Sequence, residues 1–409
     1  MRRERMTVES MLTGLKRSVG TLLLLTATVF TVVSCSGSDD TPAPNPPVPP
    51  QPGIEKPIVF SGNLSEGKSE SHARTRAGLE TILPDGQKNF KVWTVKNSGY
   101  TTEYTDPQFV MWNYNVKWIN GSAGTTTSNT NDWEYVNQQE SGTEQSIKYW
   151  DYDAKAYRFF GYAGTGVTVS PASPASTTTS VSLSFTVPSD DNIPNLQSEP
   201  VTQPASPYYS KLWFSTGNLA NYPNKQFGQP VQLEFLKPFV KVRFMFRLSD
   251  ASNTNISLSE KSFKPTPADP PADTKTIATA GIFTVTYPLM GTATEESWSV
   301  TNVTSSLTEF DKDYYEAASG ETDQDVIDGE KKWYVVLPAM NQGTYTLSVK
   351  VNNELKEVVV PAQYMNWQPG YEYTYIFKIT DSGALVLYDV VAGFAPWDES
   401  VSPHPVFNW

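Results

Sequence analysis

The chain has 409 residues, a net charge of −12, one cysteine and two histidines. The acidic balance argues against a nucleic-acid partner, which demands a basic surface. One cysteine leaves no internal disulfide and no cysteine-based zinc site, and His72 and His404, both in irregular stretches, leave little imidazole chemistry to build on.

The first organised element is an apolar run of thirteen residues, Thr21–Val33, preceded by Lys16 and Arg17 and followed by Cys35. A permanent membrane span needs roughly 20 apolar residues, so the run fits the core of a secretory signal. A signal opening at Met11 is cleaner than one opening at Met1. Val32-Val33-Ser34-Cys35 resembles a bacterial lipobox. That resemblance implies cleavage before Cys35 and acylation, with palmitate among the chains, on a thiol whose thiolate is the reactive form. Each buried methylene contributes about 0.8 kcal/mol, so two or three chains hold a protein on a membrane. An ordinary signal with a chance cysteine is the bland alternative. Residues 36–53, SGSDDTPAPNPPVPPQPG, read as an extended spacer of about 3.1 Å per residue. Asp39-Asp40 is similar to the acidic surface-export tag of Bacteroidetes lipoproteins.

Beyond the spacer the periodicity is that of strands. Ile58–Ser61 is a short apolar candidate, followed by a polar stretch holding Arg74 and Arg76. Phe90–Val95 comes next. In Val110–Ile119, Trp112, Tyr114, Val116 and Trp118 alternate with Met111, Asn113, Asn115 and Lys117, which predicts one buried face. Tyr157–Ala163 and Ser180–Val187 continue the series. Residues 188–229 are rich in proline and asparagine, with a strand candidate at Lys211–Ser215. Val231–Phe235, Phe239–Leu248, Ile282–Tyr287, Trp298–Val303, Trp333–Leu337, Thr344–Val351, Leu355–Val360, Tyr371–Ile379 and Leu385–Val391 follow. Few windows keep a helical period, and no fixed repeat is present. The expectation is an all-β chain of two tandem β-sandwiches, about seven strands each. The expected divisions are a signal at 1–34, the lipidated cysteine and proline-rich linker at 35–56, and sandwiches at 57–225 and 226–409.

These residues carry a resemblance. The lipobox, Ile58-Val-Phe-Ser, Thr75-Arg-Ala, Phe90-Lys-Val-Trp, Lys148-Tyr-Trp-Asp and Tyr157-Arg-Phe-Phe-Gly-Tyr-Ala occur in the order seen in Mfa-like fimbrillins of Bacteroidetes. So do Leu233-Glu-Phe-Leu-Lys-Pro-Phe-Val-Lys-Val-Arg-Phe, Trp333-Tyr-Val-Val-Leu-Pro, Trp367-Gln-Pro-Gly-Tyr-Glu-Tyr-Thr-Tyr and Pro396-Trp397. One departure is the histidine common in the family near Lys237, absent here, where Phe239 follows Pro238. The resemblance implies transthyretin-like sandwiches and a type V pilus subunit at the cell surface, lipid-anchored in the outer membrane through Cys35. It also implies that an arginine-specific protease removes the first strand, and that a neighbouring pilin fills the groove by strand exchange. On this chain the displaced strand would be Ile58, Val59, Phe60 and Ser61, and the cut would follow Arg74 or Arg76; the alternative is that these are ordinary solvated arginines of a tip or anchor subunit that stays uncut. Leu385–Val391 and the tail to Trp409 are the donor-strand candidates, although the tail, with Pro403, Pro405, Phe407 and Trp409, is read first as packing over its own domain.

Other chemistry is weaker. Asp151/Asp153 and Asp311/Asp313 are spaced to share a strand side, yet nothing separates an acid from a nucleophile. Asp323, Asp325 and Asp328 before Gly329 miss a calcium-loop pattern by one residue. Trp133 and Trp150, near loops, are the best candidates for an exposed sugar-stacking platform. No enzyme, cofactor or metal is expected. The runner-up function is a surface lipoprotein that binds a glycan or another host or bacterial ligand and never polymerises.

Overall fold

The computed structural model describes residues 56–64, 88–99, 104–119, 133–139, 144–187, 207–216, 227–248, 257–266, 277–307, 334–340, 343–380 and 382–394. Cys35, His72, Arg74, Arg76, Asp311, Asp313, Asp323, Asp325, Asp328, His404 and the tail to Trp409 lie outside the described residues.

The strands, in chain order, begin with β1 (Phe60–Leu64), β2 (Asn89–Asn97), β3 (Pro107–Trp118), β4 (Trp133–Glu134) and β5 (Ala156–Ala163). Then come β6 (Val167–Ser170), β7 (Ser180–Val187), β8 (Tyr208–Ser210), β9 (Trp213–Thr216) and β10 (Val231–Leu236). The second half supplies β11 (Val240–Leu248), β12 (Leu258–Pro265), β13 (Ile277–Pro288), β14 (Ser297–Leu307) and β15 (Tyr334–Val336). It ends with β16 (Tyr345–Val351), β17 (Glu354–Val360), β18 (Tyr371–Ile379) and β19 (Leu385–Phe394). The protein is all-β, and a three-residue 3₁₀ turn at Ala362–Tyr364 interrupts the strands.

The largest sheet has eight strands in the order β1-β10-β8-β5-β2-β3-β4, with β9 also on β5. It is buried on both faces. Phe90 and Val92 of β2 join one core with Ile58, Phe60, Phe159 and Leu233. Trp93 and Val95, one pleat over, join a second core with Phe160, Leu183, Phe185 and Phe283. The second core is closed by a four-stranded sheet, β14-β13-β7-β6. A third core lies between sheets β15-β11-β18-β19 and β12-β16-β17. There Val240, Val242, Phe244 and Phe246 face Phe263, Leu347 and Val349. Pairing does not respect chain halves. β10 returns to β1 and β8, and β13 pairs β7 from Gly281↔Val187 to Pro288↔Ser180, so hydrogen bonds run across the expected division at 225/226.

The strict alternation expected in Val110–Ile119 does not survive. Tyr114, Val116 and Trp118 pack on the first core, whereas Trp112 packs on the second beside Trp93 and Phe109. The reason is a bulge. Val92↔Tyr114 and Thr94↔Met111 leave one extra residue on β3, and Asn113 takes φ +55° to absorb it. The sugar-platform expectation also fails. Trp133 is 1% exposed and Trp150 is 4% exposed, both inside the first core. Trp150 stacks on Phe227 at 5.3 Å and meets Tyr157 edge-on at 4.9 Å. Asp151 and Asp153 sit in the turn before β5 rather than on a strand. The Asp153 N–H donates to Asp151 Oδ1 at 3.0 Å, and Asp151 pairs with Lys96 at 2.6 Å. Burial, the largest single influence, raises the Asp151 carboxyl, but the hydrogen bond and charge of Lys96 and the N–H groups of Asp153 and Ala154 together outweigh it, and the pKa falls below the usual value.

Candidate functional site

The segment Lys56–Leu64 lies between two pieces of chain that are remote in sequence. Along one edge β1 pairs β10 in parallel, from Phe60↔Val231 to Leu64↔Phe235. The Val231 N–H donates to the Val59 carbonyl at 2.8 Å. Along the other edge Pro57 bridges Tyr149 in antiparallel sense. There the Ile58 N–H donates to the Lys148 carbonyl at 2.8 Å, and the Trp150 N–H to the Lys56 carbonyl at 3.0 Å. The strand is therefore seated in a slot, bonded on both edges. It begins two residues later than the expected Ile58–Ser61, because Pro57 and Ile58 serve the opposite edge.

Side chains anchor the seat. Ile58 and Phe60, both 0% exposed, alternate into the first core, while Val59 is half-buried. The Phe60 ring meets Phe90 at 6.1 Å, Tyr135 at 5.9 Å and Phe159 at 5.9 Å, all edge-on, a favoured aromatic geometry. Ser61 holds its place in the ladder opposite Gln232.

Tyr135 ties the slot together. Its hydroxyl lies 3.1 Å from the Ile58 carbonyl, with the Lys148 carbonyl at 3.3 Å as the other acceptor, and it accepts the Lys148 N–H at 3.0 Å. Burial pushes the phenol pKa up, so the hydroxyl keeps its proton and can donate. The residue is fixed by its neighbours. The buried Glu134 carboxylate accepts the N–H groups of Tyr135 and Val136 at 2.8 and 2.7 Å. Gln145, also buried, exchanges hydrogen bonds with the Asn115 backbone at 2.8 and 2.9 Å and donates to the Tyr135 carbonyl. This polar frame joins β3, through Asn115, to the chain around Glu134 and Tyr135, and so braces one wall of the slot. Sequence reasoning placed Ile58, Val59 and Phe60 in an apolar strand but missed Tyr135. The only hint was a tyrosine directly after a tryptophan-glutamate pair.

Leu385–Val391, one donor-strand candidate, lies within β19. It pairs antiparallel with β18 from Tyr371↔Phe394 to Ile379↔Leu385, and Leu385 is buried in the third core. The described residues hold no cluster of three or more His, Cys, Asp or Glu side chains suited to a metal ion, and no helix long and apolar enough to cross a membrane.

No family model matches the chain, and no curated protein matches it. Solved structures similar to it include proteins of Bacteroides and Parabacteroides described as fimbrial, as cell-adhesion and, in one case, as polysaccharide-binding proteins. One is a fimbrial protein from Bacteroides vulgatus, at 10% identity and a TM-score of 0.42, covering 82% of this chain and 99% of that one. A second, described as a candidate cell adhesion protein, comes from Bacteroides uniformis, at 14% identity and a TM-score of 0.35, covering 84% and 98%. A third with the same description is from Parabacteroides distasonis, at 10% identity and a TM-score of 0.36, covering 86% and 99%.

Proposed function

We propose that this chain is a structural subunit of a surface fimbria, with no enzymatic role, whose β1 is a removable strand. The seat of Lys56–Leu64 carries this reading. Among the described residues the segment bonds only to partners far along the chain, namely β10, residues 148–150 and the Tyr135 hydroxyl. A cut between Leu64 and Asn89, the interval that holds Arg74 and Arg76, severs no pairing between described strands. Removal would uncover backbone groups on two edges and the pockets of Ile58 and Phe60. An uncovered sheet edge is a template for another chain, and an added strand gains affinity from the backbone and selectivity from alternate side chains.

The slot also sets the polarity of a replacement strand. It must run parallel to β10 and antiparallel to 148–150, with large apolar side chains at two alternate positions. In this reading Cys35 anchors the precursor in the outer membrane, an arginine-specific protease cuts after Arg74 or Arg76, and the tail beyond Phe394 is a better donor than β19, which is bound into its own core. The sandwiches then face outward to support adhesion.

The test is limited trypsin treatment of purified residues 36–409, followed by native sizing. The expected result is a ladder of multimers after a cut near Arg76, lost when both arginines are replaced by lysine and an arginine-specific protease is used. A clean cut that leaves a stable monomer overturns strand exchange and favours a binding lipoprotein that does not polymerise.

A further inference from the structure

Three adjacent strands bring two cations onto one exposed ring. The parallel register of β11 and β18 sets Arg247 opposite Lys378. On the neighbouring strand Lys378 faces Val386, and the register shift between Ile376 and Phe377 leaves Tyr388 as the extra residue of a bulge. The Arg247 guanidinium carbon lies 5.7 Å from the centre of the Tyr388 ring, and Lys378 Nζ lies 5.2 Å from it.

Two features of this cluster ask for an anion. Like charges directly opposite in a sheet are unfavourable. Yet among the described residues neither cation has a carboxylate within ion-pair distance. The nearby carboxylate of Asp389 accepts the Val390 N–H at 2.7 Å. Arg247 is 5% exposed, and its Nε has no hydrogen-bond partner. In a chain of net charge −12 such a pair stands out. The third feature is the ring. Tyr388 is 52% exposed, and Val386 beside it is 39% exposed. The cluster lies on the face of the sheet, where an extended peptide gains no backbone pairing. A sugar ring instead offers a flat apolar face for the tyrosine and an acid for Lys378, with the buried charge of Arg247 beneath it.

We propose that Arg247, Lys378 and Tyr388 form a binding site for an anionic saccharide, with the ring stacked on Tyr388 and its carboxylate or sulfate held by Lys378 over Arg247. The site is separate from the β1 slot and does not depend on polymerisation. It is tested with the full chain, purified in mild detergent, on immobilised polygalacturonate and heparin. Neutral dextran and polyglutamate serve as comparisons. Retention is expected on one or both acidic polysaccharides and not on dextran. Lys378→Gln and Tyr388→Ala, each checked for an unchanged melting temperature, should weaken it by at least about tenfold. Absence of retention on both acidic polysaccharides overturns the proposal, as does retention indifferent to both substitutions. Equal retention on polyglutamate overturns the assignment to a sugar. Retention on polygalacturonate alone assigns a carboxylate, and on heparin alone a sulfate.

Discussion

Replacing Phe60 by alanine isolates the seat of β1. The side chain is fully buried and touches Phe90, Tyr135 and Phe159. Burying Ile58 and Phe60 contributes about 1.5–3 kcal/mol each, and each backbone hydrogen bond of the segment adds about 1 kcal/mol. A Phe→Ala change in a core costs about 3–5 kcal/mol, because a cavity remains. That is a large share of what holds the segment. At 1.4 kcal/mol per factor of ten, local opening should become about a hundredfold to several thousandfold easier. Hydrogen exchange read by mass spectrometry is the assay, with peptides covering Lys56–Leu64, Val231–Leu236 and, as a remote reference, Tyr371–Ile379. Protection should collapse in the first two and hold in the third. Phe263→Ala, in the third core against Phe244 and Tyr345, should do the reverse. Equal loss of protection in all three peptides for Phe60→Ala would refute the argument, since β1 would then open only with the whole protein.

Tyr135→Phe removes the hydroxyl that serves Ile58 and Lys148, and should cost about 1–3 kcal/mol in urea unfolding by leaving buried backbone groups short of a partner. An unchanged midpoint would mean that water replaces the hydroxyl. Asn113→Val places a β-branched residue at φ +55° and should cost at least about 1–2 kcal/mol, with a change in Trp112 fluorescence, whereas Asn113→Gly should be tolerated. Burial pushes Tyr157, Tyr345 and Tyr373 up to about 12, against about 10 when unfolded. Their folded pKa is the higher one, so their contribution is complete below about pH 10 and is lost as pH rises through about 12. Urea midpoints should fall across that window. Phenolate absorbance rising near pH 10 with the fold intact would contradict the assignment.

Much of the strand content was legible because apolar residues alternate. Ser180–Val187 and Tyr371–Ile379 match β7 and β18 end to end. Misses have local causes. β4, β6 and β8 are two to four residues long, too short for a period to register, and β12, LSEKSFKP, is mostly polar. The side faced by Trp112 turned on one residue, Asn113, whose left-handed backbone inverts the pleat. Proximity to loops misplaced Trp133 and Trp150, since aromatic neighbours from other strands close over them. Pairing is less legible than periodicity. Nothing in Val231–Leu236 announces that it will bond to Phe60–Leu64, because register between distant segments is decided by packing rather than by local pattern. The candidate slot was half visible. Its strand could be read, but the Glu134, Tyr135 and Gln145 frame that shapes its wall could not.

The parallel pairing of β1 with β10 has a mechanical side. β10 leads within a few buried residues, Leu236 to Phe239, into β11 and the third core. Tension applied between the start of β1 and the far end of the protein pulls the two strands lengthwise in opposite directions. Every bond of the ladder from Phe60 to Leu64 then bears load at once, in shear, instead of parting one after another as a hairpin does. The same segment that a single cut frees can therefore withstand a pull along its length.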